Sequence, residues 1–381
     1  MNLLSKLLLK RIIFKRIREV DVIIFGYDKF NFDSDIKFAY FQNSEINLRY
    51  LIPTFIMYIN KFFTKKKMSI IDTYFFVILR KYNCKIALGN DRDNGVFKFK
   101  KFFPNKISVA YQFGYWFEEL VNLGQTVIRN KFTDYYFLFD DRTRKFTENF
   151  VKANYFITGS VSSNEKIFKN LKKKYDFMFI SNFRYKIKKN SNNLIEKTMG
   201  ETSSKNLLQC SSFMLKTLSN FCNERQKTFC IARVGTRVDK KKYFKLLKEE
   251  NNFLKQYARN FFLEEVDSFE LAQQSEVSIC THSNLGYQLL ARGNKVLFLN
   301  RNEDVYNWHF INSSSGPFWY KGSNISEINK KLEDILRMSK KEWDELVKES
   351  LIPIKFDPGN KVLKGLINKI MSKSIDREVR H

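Results

Sequence analysis

The chain has 381 residues, with 67 Lys+Arg against 40 Asp+Glu, a formal net charge of +27 and 39 phenylalanines. That length can hold two domains, each with its own core, and the charge favours anionic partners without choosing among nucleic acid, acidic lipid and phosphorylated substrates. Five scattered cysteines without a C-x-x-C pair, and only three histidines, argue against a disulfide framework, a zinc site or a histidine-rich centre, and suit a reducing cytoplasm.

The N-terminal "MNLLSKLLLKRIIFKRIREV" has basic residues breaking every apolar run, so it reads as neither a membrane span nor a cleavable signal. Leu4, Leu8 and Ile12 fall at helical spacing, with Lys6, Lys10, Arg11, Lys15, Arg16 and Arg18 between them. This predicts an amphipathic helix that either packs on its own domain or lies on an anionic membrane surface. "YLIPTFIMYI" (Tyr50–Ile59) is also too short to span.

Apolar runs bounded by turn residues then recur: "DVIIFGY" (Asp21–Tyr27), "CKIALGND" (Cys84–Asp91), "ISVAYQFG" (Ile107–Gly114), "YYFLFDD" (Tyr135–Asp141) and "NYFITGS" (Asn154–Ser160). Helix-length segments separate them, which is the signature of alternating β and α units around mostly parallel sheets. The polar stretch Lys186–Lys205 reads as a loop. The series restarts with "YDFMFISNFR" (Tyr175–Arg184), a helix around Leu207–Glu224, "KTFCIARVG" (Lys227–Gly235), a helix from Lys240, "NFFLEE" (Asn260–Glu265), "EVSICTHS" (Glu276–Ser283) and "KVLFLN" (Lys295–Asn300). From Ser339 onward the pattern is helical, with Leu363, Ile367 and Ile370–Met371 near i, i+4 spacing. The predicted fold is α/β, with two Rossmann-like doubly wound domains facing across a cleft: 1–168, 169–345 and a helical tail 346–381.

Ligands of open α/β sheets bind outside the carboxyl ends of the strands, so polar residues there are the candidates. In "SICTHSNLGYQLLARG", Ser283 or Asn284 is placed to cap a helix whose free N–H groups can hold a phosphate. Gly286 admits close approach, Gln288 lies one turn in, and Arg292 with Gly293 reads as the stop. Arg233 and Arg237 follow one strand, and Ser181 and Arg184 another. Arginines there suit a pyrophosphate or a sugar carboxylate, or else pair with surface acids such as Asp239. "GNDRDNG" offers Asp91 and Asp93 as a general base, although turn chemistry explains the same letters. Gln112, Gly114, Gly159 and Ser160 are further strand-end positions, suited to an acceptor or to turns. "KFFTKKK" (Lys61–Lys67) and "VFKFKKFF" (Val96–Phe103) combine bases and aromatics, but no recognised motif accompanies them. Nucleic acid is therefore not expected as a partner.

The order "FPNKISVAYQFG", "YYFLFDD", "FITGSVSSN", "FISNFR", "SNLGYQLLARGNKVLFLNR", "GPFWYKG" and "MSKKEW" resembles bacterial surface-carbohydrate-biosynthesis transferases, glycosyltransferases of the two-Rossmann-domain (GT-B) class, from about Cys84 to Trp343. In that family a serine–threonine–leucine–glycine–tyrosine–glutamate pattern opens the helix facing the donor. Ser283, Leu285, Gly286 and Tyr287 match it, while Asn284 stands for threonine and Gln288 for glutamate. The family's glutamine–asparagine–glycine turn appears as Gln112-Phe113-Gly114, and its Asp-Asn pair aligns on Asp93-Asn94, with Asp91 a second choice. The resemblance implies transfer from a nucleotide-sugar, bound by the second domain, to a glycan or lipid-linked acceptor at the first. No cofactor and no metal are expected, and the place of work is the cytoplasm, with a peripheral membrane position open. Alternatives are a nucleotide-sugar epimerase or polyol-phosphate transferase on the same fold, or a non-catalytic scaffold of polysaccharide assembly.

Overall fold

The computed structural model describes the chain except residues 1–10, 27, 42–44, 64–67, 93, 115–130, 169–170, 184–200, 234–239, 303–312, 351–354 and 379–381. For 61–63, 201–205, 240–243 and 373–378 it describes the backbone alone. The described residues divide into two compact units, one running to Glu165 and resuming at Asp357, the other spanning Lys166–Phe356.

The first unit contains β1 (Arg11–Ile13), β2 (Val22–Phe25), β3 (Phe38–Phe41), β4 (Glu45–Asn47), α1 (Leu51–Phe63), α2 (Ile70–Tyr82), β5 (Ile86–Asn90), α3 (Gly95–Phe102), β6 (Ile107–Tyr111), β7 (Lys131–Leu138), α4 (Asp141–Thr147), β8 (Val151–Ile157) and α5 (Val161–Asn164). Six strands form one parallel sheet in the order β3-β2-β5-β6-β7-β8. Its central strands read as unbroken apolar runs because both faces are covered: Val22, Ile23, Ile24 and Phe25 are wholly buried, as are Ile86, Ala87 and Leu88. The phenylalanines of "VFKFKKFF" take part in this core, with Phe97 and Phe99 on the buried side of α3. Lys100, buried beside them, meets Asp134 at 2.8 Å and donates to the carbonyls of Pro104 (2.7 Å) and Lys106 (2.9 Å), so its charge is both paired and hydrogen-bonded.

The second unit contains β9 (Tyr175–Ile180), α6 (Glu201–Glu224), β10 (Phe229–Ala232), α7 (Lys240–Tyr257), β11 (Phe261–Phe262), α8 (Ser268–Gln273), β12 (Ser275–Cys280), α9 (Asn284–Ala291), β13 (Lys295–Asn300), β14 (Ser315–Gly316), β15 (Trp319–Lys321), α10 (Ile325–Arg337) and α11 (Lys340–Glu349). The sheet order is β11-β10-β9-β12-β13-β15-β14, parallel except for the β14–β15 pair. Counted within this unit, the strands from the β11 edge run 3-2-1-4-5-7-6, so the first five follow the doubly wound Rossmann order, with its reversal point between β9 and β12. The helices cover it by apolar stripes: Leu207, Cys210, Met214, Leu218 and Phe221 line the buried side of α6, and Ile328, Leu332 and Ile335 that of α10.

The last helix, α12 (Lys361–Glu378), returns to the first unit, so residues after 356 are not a free-standing tail. Leu363 and Ile367 join the core of that unit. Polar bonds fix the docking: Lys364 meets Glu165 at 3.0 Å, Asn360 donates to Glu165 (2.8 Å) and to the Val161 carbonyl (2.9 Å), and the Asp357 N–H donates to Asn164 Oδ1 (3.2 Å). The unit boundary at Glu165/Lys166 falls three residues before the expected 168.

Two expectations need correction. Residues 11–13 form a strand paired in parallel with β4 rather than part of an amphipathic helix, because the backbone of this segment is held by β4 and by Asn47 and Tyr50; residues 1–10 lie outside the described ones. Glu201–Lys205, expected as loop, begins α6, so the polar stretch is shorter than its composition suggested. No described helix is long and apolar enough to cross a membrane.

Candidate functional site

The stretch that opens α9 sits at the reversal point of the second sheet. After β12 the chain turns through Thr281 and His282 to Ser283, whose extended backbone (φ −130°, ψ 136°) and side chain cap α9, with Oγ accepting from the Leu285 N–H at 3.2 Å. The helix ends as its sequence requires, with Gly293 at φ +81°. The positive end of the helix dipole therefore points out of the carboxyl edge of the sheet.

Asn182, just past β9, holds that turn in place. Oriented so that both amide atoms are satisfied, its Oδ1 accepts from the His282 N–H (2.9 Å) and the Thr281 hydroxyl (2.6 Å), and its Nδ2 donates to the His282 carbonyl (3.2 Å). The side chain imitates a strand backbone and ties the two strands together three residues beyond their last pair, Phe179 with Ile279. This role was missed in the sequence, where "SN" after an apolar run reads as ordinary turn chemistry.

Gly286 has a different reason from the one expected. A Cβ there would stand 2.5 Å from Cys280 Sγ and 3.0 Å from a Phe298 ring atom, so glycine lets α9 lie close on β12 and β13 rather than admitting a ligand. Burial pushes the Cys280 thiol up to about 12, and as a protonated donor it meets the Ser283 carbonyl at 3.5 Å, under the turn. Gly286→Ala should lower stability by about 1–3 kcal/mol through overpacking, seen as a lower urea midpoint with an unchanged slope.

Arg233 follows β10, the strand on the other side of β9, and is partly exposed. Its neighbour across the ladder is Ser181, whose N–H donates to the Ala232 carbonyl at 2.9 Å. Strands lie about 4.8 Å apart, so Arg233 and Ser283, two strands apart along one edge, are roughly 10 Å from each other at the backbone. Among the described residues, no ion pair or hydrogen bond ties the Arg233 side chain. Ser181 itself is buried and donates to the buried Glu250 at 2.5 Å, which makes it a brace between β9 and α7. Asn284 and Gln288 are half-buried on the first turns of α9. Arg184 and Arg237 lie outside the described residues.

Arg292 is more than a helix-terminal charge. Its guanidinium stands 4.5 Å from the Phe356 ring, 5.3 Å from Phe269 and 6.0 Å from Phe168, and donates to the Lys166 carbonyl at 2.7 Å. It gathers the two segments by which the chain enters and leaves the second unit.

In the first unit the structure joins two candidate turns. Asp91 is wholly buried: Oδ1 accepts from the Phe113 N–H (3.1 Å) and Oδ2 from the Tyr136 hydroxyl (2.7 Å), while the Arg92 guanidinium stacks 4.6 Å over the Phe113 ring. Gln112, equally buried, accepts from the Phe139 N–H (2.9 Å) and donates to the Gly114 carbonyl (3.0 Å). Gly159 adopts φ +81°, and Ser160 caps the four-residue α5. Asp91 and Gln112 thus brace the carboxyl ends of β5, β6 and β7 from inside, where a base or acceptor contact at the surface was expected. Asp93 lies outside the described residues.

Two parallel doubly wound units, one with a capped helix at the reversal point of its sheet, define a protein of the GT-B fold. The UDP-GlcNAc 2-epimerase of Neisseria meningitidis, solved with UDP-GlcNAc, shares that fold: TM-score 0.51 and 10% identity over 94% of this chain and 100% of that one. An α,α-trehalose 6-phosphate synthase of Burkholderia multivorans matches with TM-score 0.48 and 8% identity over 98% of both chains, and a glycosyltransferase of Rickettsia africae with TM-score 0.40 and 10% identity over 88% and 86%. No curated protein matches the sequence. Residues 117–371 match the family model described as "putative O-antigen biosynthesis protein", and the chain belongs to that family. Its role is in the biosynthesis of surface glycan.

Proposed function

We propose that the protein is a glycosyltransferase that moves a sugar from a nucleotide-activated donor to a glycan or lipid-linked acceptor of surface polysaccharide at the cytoplasmic face of the membrane, without a metal ion. The observation that supports this most is the capped N-terminus of α9 at the reversal point of the second sheet, with Arg233, whose side chain has no partner among the described residues, on the same edge.

In this reading the N–H groups of the Ser283–Asn284 turn and the Arg233 guanidinium receive the donor phosphate, and Gln288 reaches its sugar. The acceptor hydroxyl oxygen attacks the anomeric carbon and the bond from that carbon to the phosphate oxygen breaks. The electron pair leaves on the phosphate, where the helix end and Arg233 stabilise it. If the reaction inverts, the hydroxyl proton passes to a carboxylate of the first unit, and Asp93 is assigned that role because both oxygens of Asp91 are engaged inside the fold.

Titration with CMP, UDP, GDP and CDP, read by thermal unfolding, tests the donor site. At a hundred dissociation constants one nucleotide should stabilise the second unit by about 2.7 kcal/mol, a shift of roughly 5–10 °C. Absence of any saturable shift would favour the scaffold alternative. Conversion of free nucleotide-sugar without acceptor would show an epimerase instead.

A further inference from the structure

We propose that the face built by β1, β4 and α1 of the first unit docks on a bilayer surface rich in anionic phospholipid. The inference rests on this surface alone, so failure of the donor reading would leave it standing.

α1 is amphipathic in an unusual sense: its packed side is narrow and its open side is apolar. Tyr50 and Thr54 are buried, whereas Leu48, Ile52, Phe55, Ile56 and Ile59 recur at helical spacing on the exposed side, with Ile52 73% and Phe55 57% accessible. β1 continues the surface, since Ile12 pairs with Ile46 of β4 just ahead of α1, and Ile12 and Phe14 are 65% and 75% accessible. Contiguous apolar side chains of this size are rare on soluble surfaces without a partner.

The partner's chemistry is indicated by charge. Beside the apolar face lies a groove of 1260 Å³ lined by Lys15, Arg16, Arg18, Arg49 and Lys81, with Glu19 and Glu45 as the acids. Glu45 is engaged by Arg11 at 3.7 Å, which leaves the groove strongly cationic. The Lys15 N–H donates to Asn47 Oδ1 and the Ile17 N–H to Tyr50 Oη, so the basic segment is fixed against the foot of α1. Apolar side chains that enter the acyl boundary, flanked by cations that meet phosphate headgroups, form the two-part signal of interfacial binding. Each basic residue near the surface adds roughly a five-fold factor. The 13 residues of α1 extend about 20 Å at 1.5 Å per residue, short of a bilayer core of about 30 Å. The helix therefore lies in the interface and does not span it.

The test is co-sedimentation of the full-length protein with phosphatidylethanolamine vesicles containing phosphatidylglycerol, against pure phosphatidylcholine vesicles. The protein should bind the anionic vesicles at least ten-fold better and lose binding as salt is raised. Ile52→Ser/Phe55→Ser/Ile56→Ser should abolish binding without lowering the unfolding temperature, since these side chains are exposed. Lys15→Ala/Arg16→Ala/Arg18→Ala should weaken it at least ten-fold on anionic vesicles alone. Equal binding by either triple variant overturns the proposal. So does binding that depends only on Met1–Lys10, or an apolar triple variant that dissociates a dimer while vesicle binding is unchanged, which would give the face to a second copy.

Discussion

Replacing Arg233 by alanine is expected to lower sugar transfer by about 10²–10³-fold, the usual cost of removing one group aimed at charge that develops on a leaving group. The size follows from position. Arg233 ends the strand next to the reversal point, and no described residue engages its side chain, so its charge is available to a ligand on the carboxyl edge of the sheet. The same isolation means that the fold does not depend on it, and the thermal midpoint of Arg233→Ala should stay within about 2 °C of the parent, as for surface substitutions generally. Arg233→Lys should recover part of the rate, because a point charge replaces a bidentate fork. A loss confined to KM would mean that the arginine holds donor and transition state equally, whereas a fall in kcat would mean that it acts on the departing phosphate. Transfer at the parental rate would remove Arg233 from the site.

The sequence displays the ends of strands far better than it displays their order. "CKIALGND", "KVLFLN" and "YDFMFISN" are legible because a buried parallel strand must be apolar throughout and must stop at polar residues, and the structure places β5, β13 and β9 there. The edge strand β3 has no such run and is absent from the pattern, and β11 is marked only by the two phenylalanines of "NFFLEE". Ser283 and Gly293 are legible because a cap and a left-handed stop are local chemistry. Nothing local says that β12 lies beside β9, and that single fact makes the Ser283 turn a switch point and turns Asn182 into its brace. Gly286 illustrates the same limit: the letter demands a missing side chain, but only the positions of Cys280 and Phe298 show what occupies the space. Likewise Leu363 and Ile367 announce a helix in α12, whereas Glu165 and Asn164, some two hundred residues earlier, determine where it docks.

Asp91→Ala is expected to damage the fold of the first unit rather than a chemical step. The carboxyl group is wholly buried and answers two donors, the Phe113 N–H and the Tyr136 hydroxyl. Truncation leaves both without an acceptor in the protein interior, at about 1–3 kcal/mol each, which for a domain of this size lowers the midpoint by roughly 4–20 °C. The Gln112 turn should loosen with it, because Phe113 is the residue that ties the two turns together. Asp91→Asn distinguishes structure from catalysis. The amide has nearly the same shape and keeps one acceptor oxygen, so a bracing role predicts a milder loss of stability with most of the transfer activity retained. A general base cannot tolerate that exchange, since an amide does not accept the acceptor's proton, and it would lose nearly all activity at an unaltered midpoint. That second pattern would return the catalytic carboxylate to Asp91 and would require the "GNDRDNG" turn to open when the acceptor binds.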